Sequence, residues 1–156
     1  MTRAPCQTFR GRVGLSPEYR VRMDSIVQLI RSTGLAGAPY AHAATAPVTA
    51  RLIFLAGACP LNLDGTTAAP GDVAGQASQC VTNLVVALQA AGATLADAIY
   101  TRVLVASTNR ADLVDAWTVV SAAFGEHDVP STLTGVTVLG YPDQLVEIEC
   151  VAAVVD

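Results

Sequence analysis

Two glutamates, Glu147 and Glu149, stand two residues apart in the otherwise apolar segment Leu145 to Val155. In a strand successive side chains alternate between faces, so these carboxylates share one face while Val146, Ile148, Cys150, Ala152 and Val154 turn to the other. Val151, Ala153 and Val155 follow on the charged face, so the pair sits beside apolar surface. A carboxyl in that setting can have its proton affinity raised, which suits it to general acid or base work. A solvated pair, or one bound to an arginine, is the commoner use of strand glutamates and stands as the alternative.

The remaining chemistry-bearing residues narrow the field. His42 and His127 are the only histidines, and neither has a partner at metal-ligand spacing, so no metal centre is expected. Cys6, Cys59, Cys80 and Cys150 are scattered without close pairs and read as free thiols. The chain has no lysine, which excludes a lysine Schiff base. It has no Gly-rich phosphate loop and no dinucleotide fingerprint.

The elements that must position these groups can be traced from the chain's end backwards. Pro130 to Asp156 reads as a hairpin, with Val136, Val138 and Leu139 on one arm, a Gly140-Tyr141-Pro142-Asp143 turn, and Leu145 to Val155 on the other. Asn109 caps a helix carrying Leu113, Trp117, Val120 and Phe124 before Gly125, and Ala98 to Ala106 reads as a strand. Trp117 lies on the apolar stripe and so reads first as a core anchor. Asp72 caps the clearest helix, with Val73, Ala77, Cys80, Leu84, Leu88 and Ala91 on one stripe. Arg51 to Gly57 is nearly all apolar, as a strand covered on both faces would be, one cover helical and the other a neighbouring subunit. Ser25 to Arg31 fits either a helix capped by Ser16-Pro17-Glu18 or an edge strand. Residues 1–24 are an Arg-rich N-terminal extension, and residues 25–156 form one domain. The expected class is α+β, with two helices on one face of a mostly antiparallel sheet of about six strands.

At 156 residues the chain is long enough for one self-sufficient core. Its apolar fraction of 52% against 14% charged residues, with mean hydropathy +0.45, suggests surface hidden in an oligomer. No stretch reaches the 18 or so uninterrupted apolar residues of a membrane span. No secretory signal is visible, so a cytoplasmic location is expected. The net charge of −4 is uneven: residues 1–31 hold six arginines against Glu18 and Asp24, and the acidic remainder argues against nucleic acid as a partner.

Several segments together resemble the Rid family, the YjgF-like reactive intermediate deaminases. They are Ala38-Pro39-Tyr40-Ala41-His42-Ala43, Leu55-Ala56-Gly57-Ala58-Cys59-Pro60, Asp72-Val73-Ala74-Gly75-Gln76-Ala77, Asn83, and Gly140-Tyr141-Pro142-Asp143-Gln144-Leu145-Val146-Glu147-Ile148-Glu149. The likeness spans residues 25–156. It implies a chorismate-mutase-like fold assembled as a homotrimer with a central barrel, and small-molecule clefts between subunits. It also resolves the stretch near Ile26 as the first strand. Relatives hydrolyse reactive enamines and imines without a cofactor.

Carried onto this chain, the resemblance makes Glu147 the acidic residue that holds or activates water, and Tyr40 the cleft tyrosine. Backbone groups near Gly57, Ala58 and Cys59 and near Thr132, Leu133 and Thr134 would face the ligand, with Trp117 close by. Thr132 stands where deaminating relatives place an arginine that grips a substrate carboxylate. Threonine offers one hydroxyl and no charge. Thr134 stands at a common cysteine, and Trp117 near a frequent asparagine, so the cleft is expected to be bulkier and less cationic. Three functions follow as alternatives. The first is a cofactor-independent enzyme, hydrolase- or deaminase-like, acting on an imine, enamine or related carbonyl intermediate through Glu147 in a specialised biosynthetic pathway. The second is a non-catalytic metabolite-binding trimer, and the third an archetypal 2-imino acid deaminase despite Thr132.

Overall fold

Asp72 does what its position predicts: its carboxylate accepts the Gly75 N–H, and helix α1, Val73–Ala90, runs from it with Ala77, Cys80, Leu84 and Leu88 fully buried. Asn109 likewise accepts the Ala111 N–H at the start of α2, Arg110–Phe124. The computed structural model describes residues 25–155, so the Arg-rich extension and its Ser16-Pro17-Glu18 cap lie outside the described residues. Strands β1 (Gln28–Ile30), β2 (Ala43–Thr45) and β3 (Arg51–Phe54) precede α1. Strand β4 (Ala98–Val105) lies between the helices, and β5 (Ser131–Gly135) and β6 (Val146–Val154) follow α2. The stretch near Ile26 is thus strand rather than helix, as the resemblance implied.

Two expectations are corrected. The six strands form two sheets, a β1–β2 antiparallel pair and a four-stranded sheet in the order β3-β6-β4-β5. The closing segment is not a hairpin: β5 pairs parallel with β4, and β6 lies antiparallel between β3 and β4. The reason is the connection through α2, because a strand that returns by a helical crossover comes back parallel to the one it left. The Gly140–Asp143 bend exists, with Asp143 at φ 58°, but it lies inside a long connection and closes no two-stranded ladder.

The helices cover one face of the four-stranded sheet. There Ile148, Cys150, Ala152 and Val154 of β6 meet Leu84, Leu88 and Cys80 of α1, and Val103 and Val105 of β4 join Ala116 and Val120 of α2 in the same core. The opposite face is open, and it carries Leu52 and Phe54 of β3 at 50% and 75% exposure beside Tyr100 and Val151. The covering of β3 on both faces is therefore half met within one chain.

Candidate acid–base site

The alternation of β6 puts both glutamates on the open face, and their fates differ. Glu149 forms an ion pair with Arg102 of β4 at 3.0 Å, both side chains well exposed. Such a pair contributes little energy. Glu147 turns the other way, toward the segment that follows β3. That segment stays beside β6 because Ala58 and Ile148 exchange both backbone hydrogen bonds, at 2.8 and 3.1 Å. Gly57 then passes directly under the Glu147 carboxylate: a Cβ on Gly57 would lie 1.8 Å from Oε1.

The other carboxylate oxygen is held by two neutral donors. Gln144 Nε2 donates to Oε2 at 3.1 Å, and Cys59 Sγ lies 3.6 Å from both Oε2 and the Gly57 carbonyl oxygen. Burial pushes the Cys59 thiol up, the Glu147 charge pushes it further, and the Gln144 amide opposes both. The thiol is therefore neutral near pH 7, its single proton shared between two oxygens. Gly57 and Cys59 line an open cleft of about 450 Å³, with Phe54, Leu55, Asn83 and Tyr141 among its walls.

Helix α1 holds both loops that build this site. Asn83 Nδ2 donates to the carbonyls of Cys59 and Leu61 at 2.8 and 2.9 Å. The buried Gln76 donates to Asp143 O at 2.8 Å and accepts the Leu145 N–H at 2.7 Å. In the sequence Gln76, Asn83 and Gln144 carry no visible role beyond their motifs, and Cys59 only that of its backbone. A signal was available for Gln76, which falls on the apolar stripe of α1 where a polar residue must find partners.

The other anticipated residues are divided between the open sheet face, the core and the helix side. Thr132 is exposed on β5 and its Oγ1 is bonded to Tyr100 Oη at 2.9 Å. Sheet register aligns Thr132, Arg102 and Glu149 in one row and Thr134, Leu104 and Glu147 in the next. Leu133 points the other way and packs against the core, whereas Ala58, though largely buried, lines the cleft between Gly57 and Cys59. Tyr40 packs edge-on against Trp117 at 6.1 Å between ring centroids. Trp117 is thus half-buried against a partner on the helix side. Thr132 lies two strands from Glu147 in the sheet order, on the order of 10 Å at ordinary strand spacing.

Against this geometry, the family model described as Endoribonuclease L-PSP matches residues 32–154. The chain belongs to this Rid/YjgF family. Among solved structures it is similar to the Rid-family protein YyfB of Yersinia pestis, at 27% identity and TM-score 0.77, covering 83% of this chain and 99% of that one. It is also similar to a Mycobacterium tuberculosis member of the YjgF/YER057c/UK114 family, at 29% identity and TM-score 0.55, covering 82% and 99%. Yeast Mmf1, at 22% identity and TM-score 0.60, covering 81% and 97%, shares the fold. No curated protein matches the chain. Among the described residues of this Rid protein no helix is long and apolar enough to cross a membrane.

Proposed function

We propose that this Rid protein is a cofactor-independent enzyme that hydrolyses an imine, enamine or related carbonyl intermediate, with Glu147 as the acid–base group. The observation that carries this reading is the contrast between two neighbouring carboxylates. Glu149 is neutralised by a guanidinium, whereas the Glu147 carboxylate lies against Gly57 of the cleft wall and is held by two neutral groups, an amide and a thiol. Such a carboxylate can take a proton from water as the water attacks a C=N carbon and return it to the departing nitrogen. The reaction balances as C=N plus water giving C=O plus amine, with no redox partner.

The open sheet face supports assembly with further copies, a trimer by the family resemblance, with the clefts between subunits. Apolar side chains as exposed as Leu52 and Phe54 beside one another mark an interaction surface. Phe54→Asp is expected to yield monomers at micromolar concentration in sedimentation, while the wild type sediments as an oligomer. A monomeric wild type removes the inter-subunit cleft.

Thr132 favours a substrate without an α-carboxylate. Its hydroxyl is bonded to Tyr100, and the nearest row-mate cation, Arg102, is engaged by Glu149. The family description also names an endoribonuclease, yet neither histidine lines the cleft beside Gly57. His42 Nδ1 accepts the Ser32 N–H, and His127 is bonded to the Ala98 carbonyl, both apart from the cleft.

The test is ammonia release from freshly generated 2-iminopropionate and 2-iminobutyrate by wild type, Thr132→Arg and Glu147→Gln. Thr132→Arg is expected to gain at least tenfold over wild type, since a desolvated arginine–carboxylate contact contributes on the order of 2–5 kcal/mol. Fast hydrolysis by wild type would restore the archetypal deaminase reading. Full activity of Glu147→Gln would remove the mechanism.

A further inference from the structure

Gln144 is 5% exposed, and every hydrogen-bonding position of its amide that the structure pairs is committed. Its Oε1 accepts the Tyr141 N–H at 3.0 Å, and its Nε2 donates to Val146 O at 3.2 Å and to Glu147 Oε2 at 3.1 Å. The orientation is fixed, because a flipped amide would set oxygen against two oxygens and its NH2 against the Tyr141 N–H. The turn bearing it is clamped to α1 through Gln76. Cys59 brings its thiol to the same oxygen, on a segment pinned to α1 by Asn83. Two loops distant in sequence thus converge on one oxygen of one carboxylate, and the other oxygen rests where only a glycine leaves room.

We propose that Gln144 and Cys59 are positioning residues for Glu147, binding Oε2 together so that Oε1, over Gly57, is the oxygen that exchanges protons with the contents of the cleft. This rests on the acid–base reading of Glu147 given above. A glutamate on a strand otherwise samples several rotamers, and a reacting group misplaced by about 1 Å can lose on the order of a hundredfold in rate. A thiol that stays protonated suits this role, since it donates to the carboxylate without adding a second negative charge.

Crystal structures of full-length Gln144→Leu and Cys59→Ala test the geometry directly. In both, the Glu147 carboxylate is expected to leave its seat over Gly57, and a carboxylate still seated there overturns the proposal. Because Gln144→Leu also removes turn hydrogen bonds, Cys59→Ala and its conservative partner Cys59→Ser provide a second path, with the hydroxyl of Cys59→Ser expected to restore the seat. Iodoacetamide alkylation at pH 8, resolved at the Cys59 peptide, tests the thiol–carboxylate contact. Glu147→Gln is expected to speed it about tenfold, since alkylation follows the thiolate fraction. An unchanged rate overturns the contact. The buried Cys80 and Cys150 thiols are both pushed up, Cys150 to about 12, and do not compete. On a turned-over imine, Cys59→Ala is expected to lower kcat about tenfold with KM unchanged. Failure of Glu147→Gln to lose activity sinks the acid–base reading, whereas a carboxylate unmoved in Cys59→Ala sinks only the positioning.

Discussion

Gly57→Ala is expected to lower turnover on the order of a hundredfold while leaving the protein folded. The added methyl carbon would stand 1.8 Å from Glu147 Oε1, 2.6 Å from its Cδ and 3.0 Å from its Cγ. The three nearest atoms belong to the far end of one flexible side chain, so the fold loses about 1 kcal/mol while the carboxylate swings away. The displaced group then misses both the cleft and its two donors, and misplacement on this scale costs about two orders of magnitude. Gly140→Ala is the control, because a Cβ there meets nothing within 4 Å. Thermal unfolding and kcat measured side by side check both halves. Full activity in Gly57→Ala would show that the carboxylate's seat is irrelevant to the reaction.

Gln76→Leu is expected to show the largest loss of stability. The side chain is fully buried and bonds the Asp143 carbonyl and the Leu145 N–H at once. Leucine fills similar space and leaves those backbone groups unpaired, at about 2–3 kcal/mol in total. For a chain of this size that is a fall in Tm on the order of 8 °C. Gln76→Glu keeps the acceptor for Leu145 N–H and is expected to fall between. If Gln76→Leu melts with the wild type, the turn bearing Gln144 is held by something other than α1.

Much of this arrangement is legible in the chain itself. Asp72 and Asn109 mark the starts of both helices because a carboxylate or amide at an N-cap satisfies a backbone donor locally, and such rules need no tertiary context. The two-residue period places Glu147 and Glu149 on one face for the same reason. The helix and strand alternatives at Ser25 to Arg31 were open locally, and a strand won by pairing with Ala43–Thr45. The turn residues Gly140 to Asp143 suggested a hairpin because they favour a bend, but a bend does not choose the partner of the strand that follows it.

The sequence by itself determined both helices with the caps at Asp72 and Asn109, the buried stripe of α1, the face of the two glutamates and, through its motifs, membership of the Rid family. Only the tertiary structure decided which carboxylate pairs with a guanidinium and which is held by an amide and a thiol. Arg102 falls opposite Glu149 and not Glu147 because of the β4–β6 register. Gly57, Cys59 and Gln144 reach Glu147 because two loops are pinned to one helix. The contacts that Glu147 makes with Gly57 and Cys59 join residues about 90 positions apart, 88 for Cys59 and Glu147. Local propensity contains no term for such contacts, since their energy arises only when the chain closes on itself.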